Sequence, residues 1–215
     1  YINYGIGNCN IENNMLSNFK SGIDIFLFSA GNTVKNNKIS GCSDGVTLSE
    51  CNFNTLSNNK ISDCENGIYL GPDSSSNTLS SNDISNCKVG VHLLGCASNI
   101  LENNVIMQNE DGVSIEEESQ SNILKGNAIK ANKDAGITIS GSTENSTSNN
   151  QIYDNYLSNH KNVNSDKQIN LWNVTRSTSN SIIHGPYIGG NYWATPSGDG
   201  FSQTHTDADG DGIAE

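Results

Sequence analysis

The chain has 215 residues, of which 33% are hydrophobic and 16% charged, with a net charge of −12. Such a thin apolar fraction excludes a broad aliphatic core, and the regular spacing of its Ile, Val and Leu excludes a disordered chain. A single Arg (Arg176) and the acidic balance exclude a phosphate-gripping nucleic-acid partner, and no apolar run of spanning length predicts membrane insertion.

From the first residues the sequence repeats itself. The second Asn of each Asn-Asn pair, or its equivalent, recurs as Asn14, Asn37, Asn59, Asn82, Asn104, Asn127 and Asn150, in steps of 22 or 23 residues. Two residues later stands an apolar side chain: Leu16, Ile39, Ile61, Ile84, Ile106, Ile129, Ile152. Farther along comes Gly followed by apolar-x-apolar, as in Gly22-Ile-Asp-Ile, Gly45-Val-Thr-Leu, Gly67-Ile-Tyr-Leu and Gly90-Val-His-Leu. A third column, Ile11, Val34, Leu56, Leu79, Leu101 and Leu124, precedes each marker, with Thr147 irregular.

The apolar-x-apolar spacing is the two-residue period of a strand, and nothing in the repeat sustains a helical period. Three short strands per unit, each stacking on its equivalent, predict an all-β fold. The expected form is a single-stranded parallel β-helix of about seven to eight coils. At one strand spacing of roughly 4.8 Å per coil, seven coils rise about 34 Å. The marker asparagines are expected at sharp bends, where Asn tolerates a left-handed backbone and its amide bonds to the Asn of the next coil. The Gly column fits a bend with positive φ or a close approach of backbones.

Six Cys (9, 42, 51, 64, 87, 96) and the sequons Asn145-Ser-Thr and Asn173-Val-Thr suit an extracellular or cell-surface location. Cys42, Cys64 and Cys87 share one column, which continues as Asn109, Asn132 and Asn155. Their side chains point the same way, so free thiols are expected, with a disulfide the alternative that the spacing permits. The absence of a leader at Tyr1 fits a mature product or an excised piece.

The x of apolar-x-apolar points outward and forms a surface column: Asp24, Thr47, Tyr69, His92, Ser114, Thr138, Asn170. Tyr69 and His92 are neighbours there, a pairing suited to moving protons on a sugar acid, while a plain solvated column is the structural alternative. Paired carboxylates for hydrolysis have candidates in Asp83, Asp111, Glu116–Glu118 and Asp134, but periodicity does not say which of them face one another. Asp24, Tyr69, His92 and His160 are the substrate-binding candidates.

The regular repeat occupies 1–155. The stretch 156–193 reads as an inserted loop (Tyr156–Asp166), resumed strand signature at Ile169-Asn-Leu171, and an aromatic cap built from Trp172, Tyr187, Tyr192 and Trp193. In 194–215 the terminal DADGDGIAE spaces Asp207, Asp209 and Asp211 like the first half of a calcium loop. Gly212 allows the wrap, Ile213 offers its carbonyl, and Glu215 completes the candidate Ca²⁺ ligands. No organic cofactor is implied.

The units "NNxIxxCxxGVxL…NTL" resemble the parallel β-helix repeats of the NosD-like, carbohydrate-binding and sugar-hydrolase family. The tail "GPYIGGNYWATPSGDGFSQTHTDADGDGI" looks like the C-terminal signature of surface proteins of that family in methanogenic archaea. The resemblance implies a right-handed parallel β-helix, export and life at the cell envelope, bound to or displayed on its polysaccharide. The copper role attached to the NosD name is not carried over, because no Met/His/Cys copper site is recognisable. A glycan-cleaving enzyme (lyase or hydrolase) and a rigid spacer of a surface layer are the alternative functions.

Overall fold

The computed structural model describes residues 2–141, 147–165 and 169–206. Among them, three parallel sheets run the length of a solenoid of about seven coils. Short strands such as Thr55–Ser57 and Thr78–Ser80 form the first sheet. Strands such as Lys60–Ser62 and Asp83–Ser85 form the second. Longer strands, including Asp44–Ser49, Asn66–Leu70 and Val89–Leu94, form the third. One four-residue helix, Phe201–Thr204, is the sole helical element among the described residues.

Register is like on like. Leu56 pairs with Leu79, Ile61 with Ile84, and Ile68 with Val91. These side chains are fully buried in one continuous core. A coil contributes only about four large apolar groups, which is how so polar a chain encloses a dry interior.

The corners are made by two neighbouring residues with separate tasks. Asn36, Asn58 and Asn103 take a left-handed backbone, at φ 55, 54 and 55°. The Asn that follows each turns inward and is buried. Asn59 donates its backbone N–H and its Nδ2 to Asn82 Oδ1, both at 3.0 Å, and Nδ2 also donates to Val34 O at 2.9 Å. The same contacts link Asn14, Asn37, Asn59, Asn82, Asn104 and Asn127.

The seventh marker is corrected. Asn127 bonds to Asn155, not Asn150, across a step of 28 residues, and the ladder ends at Asn191. Asn150 belongs to a second ladder, Asn32–Asn54–Asn77–Asn99–Asn122–Asn150–Asn170. The coil between Ile139 and Gln151 is about five residues longer than its predecessors, so a constant count slips from one corner to the next. For the same reason Ile152 pairs with Leu124, and Leu157 with Ile129.

Two further expectations fall with that register. Tyr156–Asp166 is not an inserted loop as far as it is described: Tyr156–Ser158 and Val163–Ser165 are strands of the second and third sheets. The Ile169-Asn-Leu171 segment does not resume the core, since Ile169 and Leu171 are exposed and Asn170 ends the second Asn ladder. At the far end Trp193 pairs with Leu157 and packs against Trp172, ring centroids 5.9 Å apart, covering the last core layer.

The Gly column answers to close approach rather than to φ. A Cβ on Gly67 would lie 2.5 Å from both Gly90 O and Ile84 Cγ2. This contact lets the backbone bend tightly into the third sheet, whose outer face carries the candidate site.

Candidate functional site on the third sheet

The outward column runs Asp24, Thr47, Tyr69, His92, Ser114, Thr138 in direct register, one residue per coil. It ends on Asn164, the partner of Thr138, rather than on Asn170. The structure therefore brings Asp24, Tyr69 and His92 onto one face, with Asp24 two coils from Tyr69. His160 is not joined to them; it is exposed in the turn after Tyr156–Ser158.

Outward-facing here does not mean solvated. Asp24 is 4% exposed and Thr47 7%. Asp24 Oδ1, Thr47 Oγ1 and His92 Nε2 are buried with no hydrogen-bond partner; with Asp83 Oδ1 on the second sheet they are the only such side-chain atoms among the described residues. Native proteins leave few buried polar atoms unpaired, so three in one column is a concentrated defect of the isolated chain. The remaining groups of the face are tied down. Ser114 Oγ donates to Glu116 Oε1 at 2.6 Å, Thr138 Oγ1 to Asp111 Oδ1 at 2.9 Å, and Asn66 Nδ2 to Asp44 Oδ1 at 2.8 Å.

The Tyr69 ring meets the His92 ring edge-on, centroids 5.3 Å apart. His92 Nε2 stands 3.6 Å from Glu116 Oε2, an ion-pair distance but too long for a hydrogen bond. Burial, and after it the acidic neighbours led by Asp44, push the Tyr69 phenol above its usual range. Tyr69 is thus a neutral phenol at ordinary pH. It can donate a hydrogen bond and present a ring, and the direction of its shift works against a phenolate base.

A second feature lies at the corner before this sheet, where a broad groove is lined by Lys20, Cys42, Asp63, Cys64, Glu65 and Lys88. All six cysteines are free. Cys42, Cys64 and Cys87 donate to Ser40, Ser62 and Ser85 carbonyls at 3.5, 3.2 and 3.4 Å, so the three thiols point alike. Their column continues through Asn109 and Asn132 to Asn159, not Asn155. The neighbouring Cys87 thiol draws the Cys64 thiol down to about 7, and the same proximity, with burial, raises Cys87.

Asp207, Asp209, Asp211, Ile213 and Glu215, the candidate calcium ligands, lie outside the described residues. The missed features are the second Asn ladder and the unpaired atoms. The ladder had a signal: an Asn five residues before every marker except Asn14, as in Asn54/Asn59 and Asn77/Asn82. The unpaired atoms had none, because pairing is a property of neighbours from distant coils.

The family described as periplasmic copper-binding protein (NosD) matches residues 1–198. No curated protein sequence matches. Among solved structures, a double mutant of the periplasmic alginate epimerase AlgG is similar at 21% identity and a TM-score of 0.71, over 78% of this chain and 44% of that one. The mannuronan C-5 epimerase AlgE4 A-module of Azotobacter vinelandii is similar at 16% identity and 0.51, over 75% and 55%. XylC, solved with xylose, gives 16% and 0.51, over 78% and 28%. This chain spans less than half of the alginate epimerase it matches, and likeness at these identities concerns the fold. Among the described residues the donors do not gather into a copper site. The stacked thiols point in one direction, and among the described residues no three His, Cys, Asp or Glu side chains converge on a metal position.

Proposed function

This chain belongs to the periplasmic copper-binding (NosD) family, and from that premise we propose that its third sheet is a glycan-binding face, working at the cell envelope or outside it. The carrying observation is the row Asp24 Oδ1, Thr47 Oγ1 and His92 Nε2, buried and unpaired on one outward column. Sugar hydroxyls both donate and accept, and a chain of sugar rings laid along the column meets one protein group per coil. Tyr69 supplies an aromatic surface beside His92. The printed names of the fold neighbours, an alginate epimerase, a mannuronan epimerase and a protein holding xylose, support a polysaccharide partner.

A catalytic reading has one observation in its favour, the adjacency of Tyr69, His92 and Glu116. Proton abstraction beside a sugar carboxylate needs a base together with a group that neutralises the carboxylate, and the upward shift of Tyr69 works against its serving as a phenolate base. Binding is therefore the better-supported function, and a bare spacer does not account for the unpaired column. The test is retention of the chain on a panel of immobilised polysaccharides, with new reducing or unsaturated ends assayed in the same tubes. Retention without cleavage, lost in Tyr69→Ala and His92→Ala, supports the reading. Retention that survives both substitutions, or no retention on any glycan, overturns it, and cleavage transfers the site to catalysis.

A further inference from the structure

The third sheet differs from the other two in charge. On the first sheet Lys35 pairs with Glu12 at 3.0 Å and Lys125 with Glu102 at 3.1 Å; on the second, Lys60 approaches Asp83 at 3.7 Å. The strands of the third sheet carry Asp24, Asp44, Asp111 and Glu116 and contain no Lys or Arg. Three of those acids accept hydrogen bonds from Asn66, Thr138 and Ser114. Asp24 is the exception: it is 4% exposed, and its Oδ1 has no donor. Next to it in register stands Thr47, whose buried Oγ1 is also unpaired.

A buried carboxylate lacks two things: a hydrogen-bond donor and a compensating charge. A sugar hydroxyl supplies only the donor. An ammonium group supplies both, with donors to spare for the Thr47 hydroxyl one strand spacing away. A polyuronate also supplies only the donor, through its hydroxyls, and adds like charge against four carboxylates, an arrangement that disfavours association. A multidentate metal ion lacks ligands here, since no three acidic or His side chains converge among the described residues.

Resting on the glycan-binding reading above, we propose that this face selects a glycan bearing free amino groups, a hexosamine polymer, with its ammonium drawn to the Asp24 carboxylate and its Thr47 neighbour. Tyr69 and His92 then meet the next rings along the chain. The fold neighbours named for alginate and mannuronan would share the architecture but not the charge preference.

Calorimetric titration of the 215-residue chain with oligoglucosamine, with its N-acetylated counterpart, and with polygalacturonate decides the matter. The free-amine oligomer should bind about tenfold or more tighter than the N-acetylated one, as a charge-assisted hydrogen bond predicts. Added salt should narrow that gap. Asp24→Asn should abolish the difference while the melting curve stays cooperative, and Thr47→Val, which keeps the side-chain shape, should reduce it. Equal binding of the two oligomers, preference for polygalacturonate with calcium or with chelator, or indifference to both substitutions overturns the proposal. Equal binding to neutral and amino sugars leaves the glycan-binding function standing; failure of every glycan removes that function as well.

Discussion

Replacing Asn82 by Ala tests whether the Asn ladder holds the solenoid together or merely decorates its corners. Asn82 Oδ1 accepts from the Asn59 backbone N–H and from Asn59 Nδ2, and its own Nδ2 donates to Leu56 O and Asn104 Oδ1, all four at 3.0 Å. The substitution leaves the buried Asn59 N–H without its partner, a penalty of about 1–3 kcal/mol, and removes three further bonds at about 1 kcal/mol each. A loss of roughly 4–6 kcal/mol follows, a large share of the 5–15 kcal/mol or so typical of a whole domain. Asn14→Ala is the control. Asn14 stands exposed on the first rung, donating to Asn37 and Glu12, so its loss should cost about 1 kcal/mol or less. Urea unfolding followed by far-ultraviolet circular dichroism measures both. Because a solenoid couples only neighbouring coils, Asn82→Ala should also split the transition. Equal, small losses in the two variants would refute the argument and leave the apolar stack as the sole source of cohesion.

Thr47→Val removes a buried hydroxyl that has no partner, so it should stabilise the free protein by about 1 kcal/mol; a comparable loss would mean that the hydroxyl is satisfied in solution. Cys64 should alkylate half-maximally near pH 7, the thiolate forming as pH rises through its lowered value, while Cys51 and Cys96, pushed by burial to about 11 and 12, stay inert. Mass mapping of alkylated peptides between pH 5 and 9 checks this, and uniform labelling would contradict it. Those two raised values also carry a sign for stability. The folded state holds its protons above the ordinary thiol value near 9, so their contribution is intact below that and fades between about 9 and 12; an alkaline urea series reads it. For the tail, Asp207, Asp209 and Asp211 are proposed to bind calcium, and millimolar Ca²⁺ should raise the melting temperature of the chain but not of Asp209→Asn.

The fold was legible because its cause is periodic. Ile39, Ile61, Ile84 and Ile106 recur at the interval at which a coil closes, and every one is fully buried. What periodicity cannot carry is an unequal coil. The longer step between Asn127 and Asn155 places an Asn, Asn150, at the spot where counting expects the next marker, and only hydrogen bonding distinguishes the two corners. The site was half legible. The adjacency of Tyr69 and His92 follows from register alone, and it stands. The burial of Asp24, its missing donor and the direction of the Tyr69 shift depend on packing between coils and have no trace in a count of residues.

The same architecture explains why such a face is free to specialise. Cohesion comes from inside: the apolar columns and three sets of inward-turned corner residues, with Asn at most rungs and Cys42, Cys64 and Cys87 filling the thiol corner. Cross-coil ion pairs on the first two sheets add little, since their partners are substantially exposed. The outward column of the third sheet carries buried polar groups without partners, which oppose folding. Asp24 and Thr47 persist at the expense of stability in the free chain, and with His92 they gather on one surface all but one of the buried side-chain atoms without a partner among the described residues, Asp83 Oδ1 being the other, which is the ground for proposing a ligand there. Strengthening that column without a ligand should therefore weaken binding, and the two effects of Thr47→Val, a higher melting point and a poorer fit for the amino sugar, should appear together in one variant.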